Sequence, residues 1–153
     1  LPDALGNLGH LLAARGDLAQ AAFYFARSVR LKPNEADVRT NYAVTLAGLQ
    51  RWEEAQRQID GALAADPKSP DAHNFKGTLL DRAGNRAGAL TEFLEAIRLR
   101  PGFDVAHLNA ARMLAAKGDT AAAEQHLRQA AASADPSIRS KAAAALQQLG
   151  GRR

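Results

Sequence analysis

An all-α fold of stacked antiparallel helix pairs is what this sequence predicts, and three observations predict it. Prolines recur at a fixed step: Pro33, Pro67 and Pro101 are 34 residues apart. Alanines at Ala21, Ala55, Ala89 and Ala123 keep that step, as do Phe25, Ile59, Phe93 and Leu127, and the leucines Leu12, Leu46, Leu80 and Leu114. The apolar share is 46% of the 153 residues and is dominated by Ala and Leu, with aromatics at only 5%. Ala and Leu lose little entropy in a helix, and the β-branched residues that favour strands are scarce. A period of roughly 20–50 residues signals one supersecondary unit stacked on copies of itself.

The elements follow in order. Helices are expected at 3–15, 18–31, 35–49, 52–65, 70–83, 86–99, 103–117 and 120–133, with a ninth at 136–149. Gly16, Gly84 and Gly118 fall between the helices of a pair, where a left-handed residue ends the first one. Asp17, Asn85 and Asp119 follow as caps of the second helix, and Asp17 with Gln20 has capping-box spacing. Each proline closes a second helix, because it lacks the backbone donor and disfavours a helical predecessor. At Ser69-Pro70 and Asp135-Pro136, a cap followed by proline starts the next helix. Small residues at Gly9, Ala43, Gly77 and Ala111 admit the second helix, and the Ala21 column does the same from the other side. The ninth helix places Ile138, Ala142, Ala145, Leu146 and Leu149 at helical spacing with polar residues between them, as a terminal cap requires.

The first repeat reads Leu5-x2-Leu8-Gly9-x2-Leu12, then Ala21-x3-Phe25, then Pro33. This resembles the tetratricopeptide repeat, whose pattern is W-x2-L-G-x2-Y, A-x3-F and P. The resemblance runs from Pro2 to Asp135. It implies a right-handed superhelical solenoid in one domain over 1–149. Its repeats would lie at about 2–35, 36–69, 70–103 and 104–135, with a capping helix at 136–149 and a frayed tail at 150–153. Three positions depart from the pattern. Arg39 stands for the tryptophan-like residue, Gln50 for the turn glycine and Lys76 for a leucine. Arg39 and Lys76 are expected to bury their stems and leave their charges in water. Trp52, just after a turn, is expected to pack the hairpin closed.

Charge and composition narrow the function. The net charge is +4, but residues 1–134 carry 16 Lys and Arg against 15 Asp and Glu. The remaining excess sits in the tail, and no basic stripe interleaved with aromatics marks a nucleic-acid surface. There is no cysteine, which excludes disulfides, thiolate catalysis and Cys-based zinc sites. No apolar run approaches the roughly 18 residues that span a bilayer. The chain begins at Leu1 without a Met and reads as a fragment, with a soluble bacterial protein of cytoplasm or periplasm as its expected setting. No cofactor motif is present. His73 and His107 share a column on successive repeats, whereas His10 and His126 lie in unrelated ones, so no metal cluster is expected. The serines lack an evident base, and an enzyme is not expected.

The resemblance implies that first helices line a concave groove, which names the candidate binding residues. Asn7, Asn41 and Asn109 share one column, with Phe75 filling it in the third repeat beside Asn74. His10, Val44, Thr78 and Arg112 form a second column; Asp37 and Asp71 lie in a third, and Leu108 shares a fourth with Asn74. An amide offers two donors and an acceptor, so a ladder of asparagines suits clamping a peptide backbone. The alternative for these amides is solvation or bonding within their own repeat. Phe75, Leu108 and Val44 would make an apolar stretch unless Phe75 turns into the core. The family's clamp for peptide C-termini needs lysines that this groove lacks: Gly6 and Thr40 occupy their column. The leading expectation is an interaction module that binds an extended peptide or partner helix. The alternatives are self-association through an exposed terminal hairpin, and an interaction tail of a larger bacterial enzyme.

Overall fold

The computed structural model describes residues 1–151, apart from the side chain of Pro2. Its regular elements are α1 (Pro2–Ala14), α2 (Leu18–Leu31), α3 (Ala36–Gly48), α4 (Trp52–Ala65), α5 (Pro70–Arg82), α6 (Arg86–Leu99), α7 (Asp104–Lys117), α8 (Thr120–Ala131) and α9 (Pro136–Gly150). No strand occurs among the described residues. Eight of these nine helices have both ends where the sequence reading put them or one residue away, through the turn and cap residues named above. The largest difference is at α8, expected to 133 but ending at Ala131. There Ala132 takes over the C-cap, and the Ser133 hydroxyl accepts a hydrogen bond from the Asp135 amide at 3.1 Å. The last helix runs one residue past its expected end, to Gly150, while Arg152 and Arg153 of the expected frayed tail lie outside the described residues.

The turns obey the local chemistry. Gly16, Gly84 and Gly118 adopt φ of 82°, 82° and 90°, the left-handed conformation that costs glycine nothing. Gln50, at the same repeat position, adopts φ 61° and holds the same turn without the glycine. Asp17, Asn85 and Asp119 accept from the backbone N–H three residues on, at 3.2, 2.9 and 3.1 Å. Ser69 accepts from Ala72 at 3.3 Å, and Asp135 accepts from Ser137 at 2.8 Å. Each of these bonds satisfies an amide that the first helical turn leaves without a partner.

The chain folds into two compact units, Leu1–Leu79 and the part from Leu80 onward. In the first, α1 packs on α2, α2 on α3 and α3 on α4. Its core gathers Phe25, Leu46 and Ile59 with Ala21, Ala43 and Ala55, and Trp52 packs against it from the start of α4. The small residues matter because the helices touch. A Cβ on Gly9 would lie 2.9 Å from the Phe25 ring, closer than atoms tolerate. In the second unit α6 packs on α7, α7 on α8 and α8 on α9. Phe93 with Ala89, Ala110 and Met113 forms one cluster, and Leu127 with Ala111, Leu114 and Ala142 another. All four residues of the Ala21 column are fully inaccessible.

Arg39 corrects one expectation. Its guanidinium does not stand free in water: Nε donates to the Pro33 carbonyl, and Nη1 donates to the Gln58 Oε1 at 2.8 Å. A Cβ on Gly61 would meet Arg39 Nη1 at 2.6 Å, so the glycine on α4 makes room for this substitute. His73 and His107 repeat part of the arrangement, with Nε2 at 2.9 Å from the Pro67 carbonyl and 2.8 Å from the Pro101 carbonyl. In each case a side chain on a first helix closes back on the carbonyl that ends the preceding repeat.

Candidate functional site

The candidate residues fall on one stripe of each first helix, because steps of three and four return to the same face. In the first unit that stripe holds Asn7 and His10 on α1, Asp37, Asn41 and Val44 on α3, and Asp71, Asn74, Phe75 and Thr78 on α5. Asn7, His10, Asp37 and Asn41 come together around one cavity of about 340 Å³, with Asp3 at its rim and Phe25 behind it. Asn7, His10 and Asp37 are exposed and Asn41 is half-buried. The carboxylates here have a counter-charge that sequence reasoning missed. Lys32, the residue that ends α2, donates from Nζ to Asp3 at 2.6 Å and lies 3.7 Å from Glu35. The hydrogen bond from Lys32 holds the Asp3 carboxyl below its ordinary range, and the same bond raises the lysine.

The remaining candidates of this unit divide. Val44 stands 48% exposed, outside that cavity. Thr78 spends its hydroxyl on the Asn74 carbonyl at 3.2 Å, within its own helix. Asp71 and Asn74 are half-buried and already engaged inside the protein. Phe75 turns its ring to the core cluster of this unit, the packing alternative to a place in the groove.

In the second unit Leu108, Asn109 and Arg112 of α7 line a cavity of about 470 Å³ together with Lys141, Ala145, Gln148 and Leu149 of α9. Leu127 of α8 and Ala111 form its apolar floor. The cavity exists because α9 packs chiefly on α8 and touches α7 at few points. Arg112 donates from Nη2 to Asp81 at 2.8 Å, and Asn109 is engaged within the protein. The α9 residues were not singled out as binding residues from sequence. Their signal was present, since Lys141, Ala145, Gln148 and Leu149 step by four, three and one along one face.

His126 has a neighbour that its sequence column does not announce. It lies against His107, with the two Nδ1 atoms 2.8 Å apart and the ring centroids 5.0 Å apart. A carbonyl only accepts, so His107 donates from Nε2 to Pro101, which leaves its Nδ1 bare in the neutral ring. His126 then donates from its own Nδ1. Burial pushes the His126 pKa down, and the neighbouring His107 adds to that. The pair bridges α7 and α8 as Arg39 and Gln58 bridge α3 and α4, at the same separation of 19 residues. Among the described residues, no group of three or more His, Asp or Glu is arranged to hold a metal ion. No described helix is long and apolar enough to cross a membrane.

Comparisons with known proteins bear on this arrangement. Protein FlbA of Caulobacter vibrioides is 34% identical over 114 residues, which is 72% of this chain but 19% of FlbA. The chain thus spans about a fifth of that relative's length. Among solved structures, Pseudomonas aeruginosa PilF superposes with a TM-score of 0.80 at 23% identity, covering 96% of this chain and 68% of that one. YrrB, described as a TPR protein with an unusual peptide-binding site, gives 0.67 at 20% identity, covering 82% of this chain and 64% of that one. At such identities the two structures attest the fold alone. Two family models, each described as tetratricopeptide repeat, match residues 12–79 and 76–138. With the 34-residue period, the left-handed turns and the inaccessible alanine column, these matches establish that the chain belongs to the tetratricopeptide repeat family.

Proposed function

We propose that this protein-interaction module holds its partner as an extended peptide or a helix against the first-helix stripes, and that in the first unit the Asn7 and Asn41 amides clamp the partner's backbone. The observation that carries the reading is the cavity shared by α1 and α3. It brings two amides of one sequence column together with His10 and Asp37. Neither amide caps a helix, and neither side chain is spent on a partner within the described residues. An amide with spare donors and an acceptor pairs with a peptide backbone whatever its sequence, so affinity comes from the main chain and selectivity from the rim. Asp37 and Glu35 give that rim a negative bias, since Lys32 offsets only Asp3 fully, and this favours a partner with a basic residue alongside.

Replacing Asn7 and Asn41 together by Ala tests this. A peptide isolated on the immobilised protein is titrated into parent and double variant by calorimetry, with helical circular dichroism as the fold control. Two lost hydrogen bonds of about 0.5–1.5 kcal/mol each predict binding weaker by about 5- to 150-fold. Equal affinities would remove the backbone clamp from this cavity.

A further inference from the structure

We infer that the cavity between α7 and α9 of the second unit selects partner segments that set a large apolar side chain beside a carboxylate. This rests on the reading of the chain as a peptide-binding module and adds the chemistry of what one of its sites accepts. The floor is apolar, formed by Ala111, Leu127 and Ala145, with Leu108 and Leu149 at its sides. Its volume of about 470 Å³ suits one or two large side chains and falls in the range of ligand sites. No carboxylate lines it, whereas two cations do: Arg112 from α7 and Lys141 from α9.

These two cations are not equivalent. Arg112 is drawn to Asp81, whose side chain is 20% exposed, so most of its charge is spent within the protein. Lys141 is exposed on α9 and has no carboxylate against it among the described residues. A bare ammonium beside an apolar floor attracts an anion that arrives with an apolar anchor. Like-charge repulsion turns away a segment whose neighbouring residue is basic. The Gln148 amide on the same face supplies a neutral donor and acceptor for the backbone of that segment. The first unit's cavity has the opposite bias, with Asp37 and Glu35 in its lining, so the two sites select differently charged segments.

The test uses the whole chain and three labelled synthetic peptides that share leucine pairs and differ in the residues beside them. One carries aspartates there, one asparagines and one lysines. Two variants accompany the parent: Lys141→Glu, an exposed change that leaves packing alone, and Ala145→Phe, which fills the floor. Fluorescence anisotropy is expected to rank aspartate above asparagine above lysine, with about fivefold between the first two at low salt. Lys141→Glu is expected to invert that order, and Ala145→Phe to weaken all three peptides. Equal binding of the three peptides, lost on filling the floor, overturns the charge selectivity and leaves the groove reading standing. Binding that ignores Ala145→Phe overturns both. No binding of the aspartate peptide overturns the inference. Sedimentation of unliganded parent and Ala145→Phe closes the last alternative. Self-association that the filled floor abolishes makes a second copy the occupant and overturns the inference.

Discussion

Gln50 holds the turn between α3 and α4 at φ 61°, in a conformation that a side chain disfavours. A non-glycine residue there costs on the order of 1 kcal/mol, offset in part by the smaller entropy it loses on folding. Gln50→Gly should therefore stabilise the protein by about 0.5 kcal/mol, read as a higher midpoint in urea with unchanged slope. An unchanged midpoint would mean that the turn bears no strain. The same scale explains why individual substitutions were hard to read. Arg39 was legible as a departure from the repeat pattern, but its partners, the Pro33 carbonyl and Gln58, depend on which rotamer the packing admits. Lys32 reaches Asp3 across 29 residues, a pairing that no local pattern announces.

The helices themselves were legible because their signals are local. Capping by Asp17, Asn85 and Asp119 acts over three residues, and the left-handed glycines act at a single one. The alanine columns go further, since the sequence places them at a helix contact and the fold leaves them fully inaccessible. Ala89 belongs to the buried cluster of Phe93 and Met113 in the second unit and is fully inaccessible. Ala89→Leu should destabilise by about 1–3 kcal/mol, the cost of overpacking a filled interface. Thermal unfolding that matches the parent would show that this contact yields where it is expected to be rigid. The candidate binding residues were less legible than the helices. The choice of the stripe on α1 and α3 came from the family resemblance, but α9 became a cavity wall only because it leans on α8 and leaves α7 open.

At the scale of the whole molecule, the histidine pair ties stability to pH. The folded state holds His126 below its ordinary value, so the unfolded chain binds the proton more tightly. By linkage, the stability is fully present above about pH 6.5 and declines as the pH falls from there through the lowered folded value. The proton that His126 gains enters at Nε2, on the far side of the ring from the Nδ1–H that faces His107. His126→Gln keeps a polar side chain where Gln58 stands in the second repeat, and it removes this titration. The variant should lose less of its melting temperature than the parent between pH 7 and about pH 5.5, measured by calorimetry. Parallel curves would show that His126 does not titrate in this window.

The sequence by itself determined the all-α repeat fold, its 34-residue register, the turns and the caps, because each of these is decided within a few residues by backbone conformation. It also determined which side chains share a helix face, because helical periodicity is fixed. Only the tertiary structure decided which long or polar side chains meet. Asp3 with Lys32, Asp81 with Arg112 and His107 with His126 are 29, 31 and 19 residues apart. It also decided that Phe75 turns to the core, that Asn109 is engaged and that α9 walls a cavity with α7. Such choices depend on rotamers and on the angle at which helices lean together. Those are set by the fit of whole faces, which no single residue or period encodes.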